Sequence, residues 1–298
     1  LLLALFVSGL VVLYIGENPF VAMKIMVNGA VGSTYGWGYT LYFATNFIFT
    51  GLAVAVAFHA RLFNIGGEGQ AAIGGLGVAL VCLSVPWPHW IIALPFAIAG
   101  GAIFGAAWAA IPAYLQAKRG SHVVITTIMF NYIASAVMIY LLVNVLKRKG
   151  SMNPETARFP EGSFLPSAYD MASAIGLPFS RSAPLNVSFF LALICYLLVN
   201  ILIWHTKLGY DIRSFGKSEP AARYAGIGPV KITMITMMIS GGLAGMMGIN
   251  AVMGEAERLV ADPVQGAGFV GIAVALMGRN HPVGVLIAGI LFGMLYQG

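Results

Sequence analysis

Between two apolar runs lies the decapeptide Arg61-Leu62-Phe63-Asn64-Ile65-Gly66-Gly67-Glu68-Gly69-Gln70, which packs three glycines and a glutamate into four consecutive positions. Each glycine costs an uninterrupted helix about 1 kcal/mol relative to alanine, so a break or re-entrant turn is expected near 63–70. Unwound backbone at membrane depth is tolerated only where it meets protein or a water-filled cavity. Glu68 then opens the next helix, where a carboxylate interacts favourably with the helix dipole. Two roles stand open for Phe63, Asn64, Glu68 and Gln70. They satisfy the polar groups of the broken backbone, or they form a polar shell beside a solute route, since ionisable groups inside spans are costly and usually have a task.

Lone amides add to this set. Asn46, Asn131 and Asn250 lie in apolar runs, and Phe47, Phe130 and Tyr132 stand beside two of them. Such amides serve interhelical hydrogen bonds, or, together with aromatic faces, line a channel for a flat polar solute.

A different kind of signal occurs at Gly216-Lys217-Ser218-Glu219-Pro220-Ala221-Ala222-Arg223-Tyr224-Ala225-Gly226-Ile227. Ser218 is placed to cap a short helix with Glu219 and Pro220 in its first turn, and Gly226 is placed to end it. A short charged helix between two spans, with Arg223 and Tyr224 exposed, suits a docking partner.

Other chemistries fail on spacing. Gly216-Lys217-Ser218 ends like a phosphate-binding loop, but that loop needs glycine where Asp211 stands. The five histidines, at 59, 89, 122, 205 and 281, show no metal-binding spacing. Cys82 and Cys195 each lie alone in an apolar run, so neither a disulfide nor a metal site is expected from them.

The elements that must position these residues follow from composition. The 298 residues are 59% hydrophobic and 9% charged, with a mean hydropathy of +0.87, which marks an all-α polytopic membrane protein. Apolar runs near 1–15, 41–58, 70–85, 91–115, 122–146, 186–205, 230–252, 268–278 and 283–298 predict about 8–10 transmembrane helices, at about 20 residues per crossing. The first run is read as a genuine span, because a signal peptide would carry a basic leader and a small-residue cleavage pattern. The 37 glycines predict closely approaching helices, for example through Gly241-Gly242-Leu243-Ala244-Gly245.

The whole of 1–298 is read as a single transmembrane domain. Its long external loop covers about 147–185, a second external stretch covers Gly254 to Gly268, and a cytoplasmic loop covers about 206–230. Arg61, Lys118, Arg119, Lys207, Arg213, Lys217, Arg223, Lys231 and Arg279 fall in alternate connections, which places those connections and the N-terminus in the cytoplasm; Lys147, Arg148 and Lys149 argue the other way. The net charge of +6 is this leaflet bias and needs no nucleic acid. The chain opens on Leu1 and stops within an apolar run at Gly298, so one or both termini are expected to be incomplete. Phe49 to Phe58 and Phe269 to Gly278 match in Phe, Gly, Ala, Val and Ala, each followed by an arginine and an asparagine. The match is a transporter repeat or a product of composition.

Four stretches together, Phe63–Gln70, Thr126–Ile133, Glu219–Ile227 and Gly268–Asn280, resemble the permease subunits of bacterial ABC importers. The nearest branch is the simple-sugar and nucleoside permeases, in the larger family that also serves ribose and branched-chain amino acids. The resemblance runs in order along essentially the whole chain. It implies a second permease, giving a heterodimer, two ATPase subunits that carry ATP and Mg while this chain binds no cofactor, and an extracytoplasmic substrate-binding lipoprotein. It also implies residence in the bacterial inner membrane among lipid. Glu219, Ala221, Ala222, Arg223, Tyr224 and Gly226 would form the coupling helix. Asn46, Phe47, Phe63, Asn64, Glu68, Gln70, Phe130 and Asn131 would border the translocation path of a nucleoside or sugar. Family members continue for another span or so beyond the position of Gly298. The competing class is an ion-coupled secondary transporter, for which the internal match and Glu68 are the evidence and which has no need of the 216–227 helix. An intramembrane enzyme would need paired catalytic groups within spans, and none is visible.

Overall fold

The computed structural model describes residues 2–148, 150–174, 176 and 178–298. Thirteen α-helices carry the described residues, with no strand among them. Six are long and apolar enough to cross a membrane alone. These are α3 (Thr34–His59), α4 (Gly67–Ser84), α5 (Trp90–Arg119), α6 (Val123–Asn144), α8 (Ser188–His205) and α11 (Pro229–Gly248), the last extended by a π-helix, Ile249–Ala256. The fold is all-α and polytopic. It closes each helix's backbone hydrogen bonds internally, as a lipid solvent requires.

All nine apolar runs are helical, and three of them form helices of fewer than 18 residues among the described residues. The N-terminal run, expected to cross alone, is the 13-residue α1 (Leu2–Tyr14). It is followed after a break by α2 (Pro19–Val31), and the pair is bent by 114°. The bend has a local cause: Gly16 takes φ +93°, and Asn18 caps α2 through its side chain ahead of Pro19. The pair counts as at most a seventh crossing. The last two runs are α12 (Ala267–Met277) and α13 (Pro282–Gln297), of 11 and 16 residues.

The remaining helices lie in connections. The 147–185 connection holds α7 (Ala168–Ala174), and 206–230 holds two helices, α9 (Lys207–Lys217) and α10 (Glu219–Tyr224), where one was expected. The polar stretch expected from Gly254 begins instead as the last turn of the π-helix.

At the centre, α3 is buried along most of its length and packs against α11, α12 and α13. Beside it, α4, α5 and α11 approach through glycine, as anticipated from Gly241–Gly245. A Cβ on Gly245 would sit 2.2 Å from the Gly101 carbonyl oxygen, and one on Gly74 would sit 2.2 Å from the Gly245 Cα. Only glycine admits that spacing.

The two matching segments lie side by side and run in the same direction. Thr50 Oγ1 donates to Ala267 O at 3.0 Å near one end of the pair, and His59 Nε2 lies 3.0 Å from Asn280 O at the other. They form one packed pair.

The connections sort by end. Ala60–Leu62, Gln116–Ala117, Phe215–Glu219 and Pro229–Val230 meet at one end, and Arg279–His281 joins them through the His59–Asn280 and Trp204–His281 contacts. At the opposite end the 147–185 connection folds onto the π-helix: Phe159 N–H donates to Glu257 O at 2.8 Å and Leu165 N–H to Met253 O at 3.2 Å. Arg158–Glu257 and Arg258–Glu155 ion pairs tie the same segments.

Candidate functional site

After α3 ends at His59, residues 62–65 run without helix before α4 starts at Gly67. This is the break that the glycines announced. Its polar groups are matched by amides. Asn64 Oδ1 accepts from Gly66 N–H at 2.9 Å and from Gln70 Nε2 at 3.1 Å, while Asn64 Nδ2 donates to Ser240 Oγ at 2.8 Å. Ser240 donates onward to Ala53 O at 2.6 Å, tying the break to α3 and α11. From α6, Asn131 Nδ2 donates to Ile65 O and its Oδ1 accepts from Gly69 N–H, both at 2.9 Å. Asn64, Gln70 and Asn131 are all buried, so leaving these groups unpaired would cost about 1–3 kcal/mol each.

Glu68 does something different. Its two carboxylate oxygens accept from Gly266 N–H and Gly268 N–H, each at 2.8 Å. Those donors are among the unsatisfied N–H groups at the start of α12. Glu68 itself stands in the first turn of α4, so one half-buried carboxylate sits where two helix N-termini converge, and both helix dipoles favour a negative charge there. Gly268 is required there, because a Cβ on it would lie 2.3 Å from the Glu68 nitrogen.

A second polar cluster crosses the bundle near the opposite end. Asn250, on the π-helix, donates to Asn46 Oδ1 at 2.8 Å and to Tyr42 O at 3.1 Å, and accepts from Asn186 Nδ2 at 2.9 Å and Ser188 Oγ at 2.8 Å. The π-turn bulges the helix at Asn250, a geometry that recurs at functional sites. Tyr42 hydroxyl donates to Glu255 at 2.7 Å. Asn46 and Phe47 line a narrow cleft here with Gln265 and Tyr296.

The structure therefore gathers Asn64, Gln70 and Asn131 in one network and holds Glu68 beside it, while Asn46 and Phe47 lie in the other cluster. Phe63 and Phe130 stand apart from both: Phe63 packs edge-on against Phe58 at 5.7 Å, and Phe130 against Trp108 at 5.5 Å. Sequence reasoning passed over Ser240, Asn186, Ser188 and Glu255. Ser240 and Ser188 are small polar residues in apolar runs that resemble tolerated helix serines, and no sequence signal marks the π-turn.

At the basic end, α10 is built as its sequence suggested. Ser218 Oγ accepts from Ala221 N–H at 3.4 Å, and Gly226 takes φ +81° just past the helix, as a C-terminal stop requires. Glu219 and Arg223 pair at 2.8 Å across one turn. Ala222 is buried and anchors the helix, while Tyr224 is 100% exposed. Behind α10 lies a cavity of about 510 Å³ bordered by Arg61, Gln116, Lys217 and Arg223. Gly216 sits against the end of α3, so closely that a Cβ would lie 2.0 Å from His59 O. Through Gly216, α9 therefore rests on the turn that leads into Asn64 and Glu68.

Comparison with known proteins agrees with this architecture. Residues 37–298 match the family described as the permease component of branched-chain amino acid transport systems. The guanosine ABC transporter permease protein NupP of Bacillus subtilis is 35% identical over 100% of this chain and 83% of its own length. The glucose ABC transporter permease protein TsgB13 of Haloferax volcanii is 31% identical over 100% of this chain and 78% of its own. The nucleoside ABC transporter permease protein NupB of Lactococcus lactis is 30% identical over 98% and 79%. No solved structure matches the chain. With a family model covering most of its length and relatives of this identity, the chain belongs to the family described as the permease component of branched-chain amino acid transport systems, which its relatives represent as ABC transporter permease proteins.

Proposed function

We propose that this chain is the membrane-spanning permease of an ATP-driven importer and forms the translocation path for nucleosides or related simple sugars. The observation that carries the reading is α10, a capped helix at the basic end with Arg223 and Tyr224 exposed, joined to α9, whose Gly216 sits against the end of α3. Glu219, Ala221, Ala222, Arg223, Tyr224 and Gly226 act as the coupling helix, set in a groove of an ATPase subunit. The basic end is cytoplasmic, with the N-terminus on the same side, in the plasma membrane, the inner membrane in a bacterium. The full importer comprises a second, non-identical permease, two ATPases that hold ATP and Mg, and an extracytoplasmic binding lipoprotein. Residues 1–298 work as one permease domain.

In this mechanism ATP-driven closure of the ATPases moves α10, and α9 transmits the motion through Gly216 to the end of α3. The segment 62–66 and the Glu68 link between α4 and α12 then shift between two arrangements, switching access from one face to the other. Asn46, Phe47, Phe63, Asn64, Glu68, Gln70, Phe130 and Asn131 border or support that path. The relatives' transport of guanosine, nucleosides and glucose supports the substrate class.

The test replaces Arg223 and Tyr224 together with alanine. Both are exposed, so membrane insertion and abundance should hold while ATPase association weakens or hydrolysis uncouples from uptake. Association and uptake at wild-type levels would remove the coupling assignment.

A further inference from the structure

α11 and the π-helix form one apolar rod of 28 residues, Pro229–Ala256. The rod starts just past α10 at the basic end and finishes against the 147–185 connection at the other. Its outer end is wound with about one residue more per turn than an α-helix, and that winding decides what it holds. Asn250 and Glu255 both reach Tyr42 of α3: Asn250 Nδ2 donates to the Tyr42 carbonyl at 3.1 Å, and the Tyr42 hydroxyl donates to the Glu255 carboxylate at 2.7 Å. Across the same interval an α-helix would set the two side chains about 140° apart, so α winding keeps one of these contacts and gives up the other. Past the rod's last turn Glu257 takes φ +51°, a conformation that a non-glycine residue keeps only where its surroundings enforce it.

Those surroundings are a strap of the outer connection. Besides the bonds of Leu165 and Phe159 to the carbonyls of Met253 and Glu257, Thr156 N–H donates to Leu259 O at 3.1 Å, and Leu259 N–H donates to Thr156 Oγ1 at 3.0 Å. The strap takes carbonyls that a helix leaves free at its end. The connection also reaches the Asn250 cluster, because Ser167 pairs antiparallel with Asn186, whose Nδ2 donates to Asn250 Oδ1 at 2.9 Å. Gly254 lies so close that a Cβ on it would sit 2.3 Å from Asn186 Nδ2. Away from the rod, the connection exposes Arg158, Glu161, Asp170 and Arg181.

Resting on the permease reading, we propose that the π-turn is a movable joint between the outer connection and α11. With π winding, Asn250 and Glu255 hold the outer end of the rod on α3 and on Ser188 at the start of α8. When the extracytoplasmic binding protein docks on the exposed charges of the connection, the strap draws on the carbonyls of Met253 and Glu257. The extra residue then passes out of the helix, the segment takes α winding, and Glu255 leaves Tyr42. Because the rod begins beside α10, a change made outside is carried to the end where the ATPases dock. The joint is a two-state element that both ends bias.

The test uses the assembled importer and reads ATP hydrolysis and uptake with and without guanosine-loaded binding protein. Gly254→Cys with Asn186→Cys sets two thiols across the close contact, within reach of a disulfide, while Cys82 and Cys195 are buried. Oxidation should join the pair in the resting importer, cut the stimulation of hydrolysis by loaded binding protein about tenfold or more and stop uptake, and reduction should restore both. In a second arm Tyr42→Phe keeps the ring and removes only the hydroxyl that holds Glu255. Hydrolysis without binding protein should then rise about fivefold, with abundance unchanged, a gain that a purely structural hydrogen bond would not give. Full stimulation and uptake in the crosslinked importer would overturn the joint, as would a pair that does not join at rest or unchanged basal hydrolysis in Tyr42→Phe. Failure of the underlying reading shows separately, as wild-type importer that takes up no nucleoside with ATP.

Discussion

Replacing Glu68 with glutamine should uncouple the start of α12 from α4 while leaving the rest of the bundle in place. Both carboxylate oxygens are in use, on Gly266 N–H and Gly268 N–H at 2.8 Å each. A hydrogen bond to a charged group contributes about 1.5–3 kcal/mol and a neutral one about 1 kcal/mol. Glutamine keeps one acceptor oxygen and turns an NH₂ toward the other donor, so one bond is lost and the second weakens. The sum is about 2–4 kcal/mol, and the partial exposure of Glu68 argues for the lower end. At about 2 kcal/mol the ratio of docked to undocked α12 falls roughly thirtyfold. Because the break at 62–66 is held separately by Asn64, Asn131 and Ser240, insertion and abundance should change little. The assay is initial uptake divided by the amount of permease in the membrane, measured together with abundance. Uptake per molecule should fall about tenfold or more, with abundance within about twofold of wild type. If uptake merely follows abundance, Glu68 is a structural cap and has no part in switching.

Three further outcomes are expected. Asn131→Ala leaves Ile65 O and Gly69 N–H without their partner and should destabilise the protein by about 2–4 kcal/mol, read as a lowered unfolding midpoint of the purified complex. Gly245→Ala places a Cβ 2.2 Å from the Gly101 carbonyl and should force α5 and α11 apart at a cost of about 1–3 kcal/mol or more, read as reduced folded protein on size-exclusion chromatography. Ser218→Ala removes the cap of α10, worth about 1 kcal/mol, and should weaken ATPase association severalfold without altering abundance.

Much of this was legible in the chain because membrane helices announce themselves by apolar length, and because glycine and capping residues carry local geometry with them. The break at 63–70, the boundaries of α10 and the close glycine packing follow from such local rules. What stayed hidden is tertiary. Nothing in the sequence says that the Glu68 carboxylate reaches 198 and 200 residues along the chain to Gly266 and Gly268. The π-turn at Ile249–Ala256 depends on packing that no window of sequence reports. Phe130 shows that adjacency to a polar residue in sequence does not place a ring in the same hydrogen-bonded cluster, since neighbours on a helix point about 100° apart.

The most direct test of the central claim is nucleoside uptake into proteoliposomes holding this chain with the proposed second permease, ATPases and binding protein, with ionophores collapsing every ion gradient. ATP-dependent accumulation that persists without a gradient, and is lost when ATP is withheld, is the predicted result. Accumulation that stops with the gradient while ATP is maintained would contradict it and leave α10 without a task.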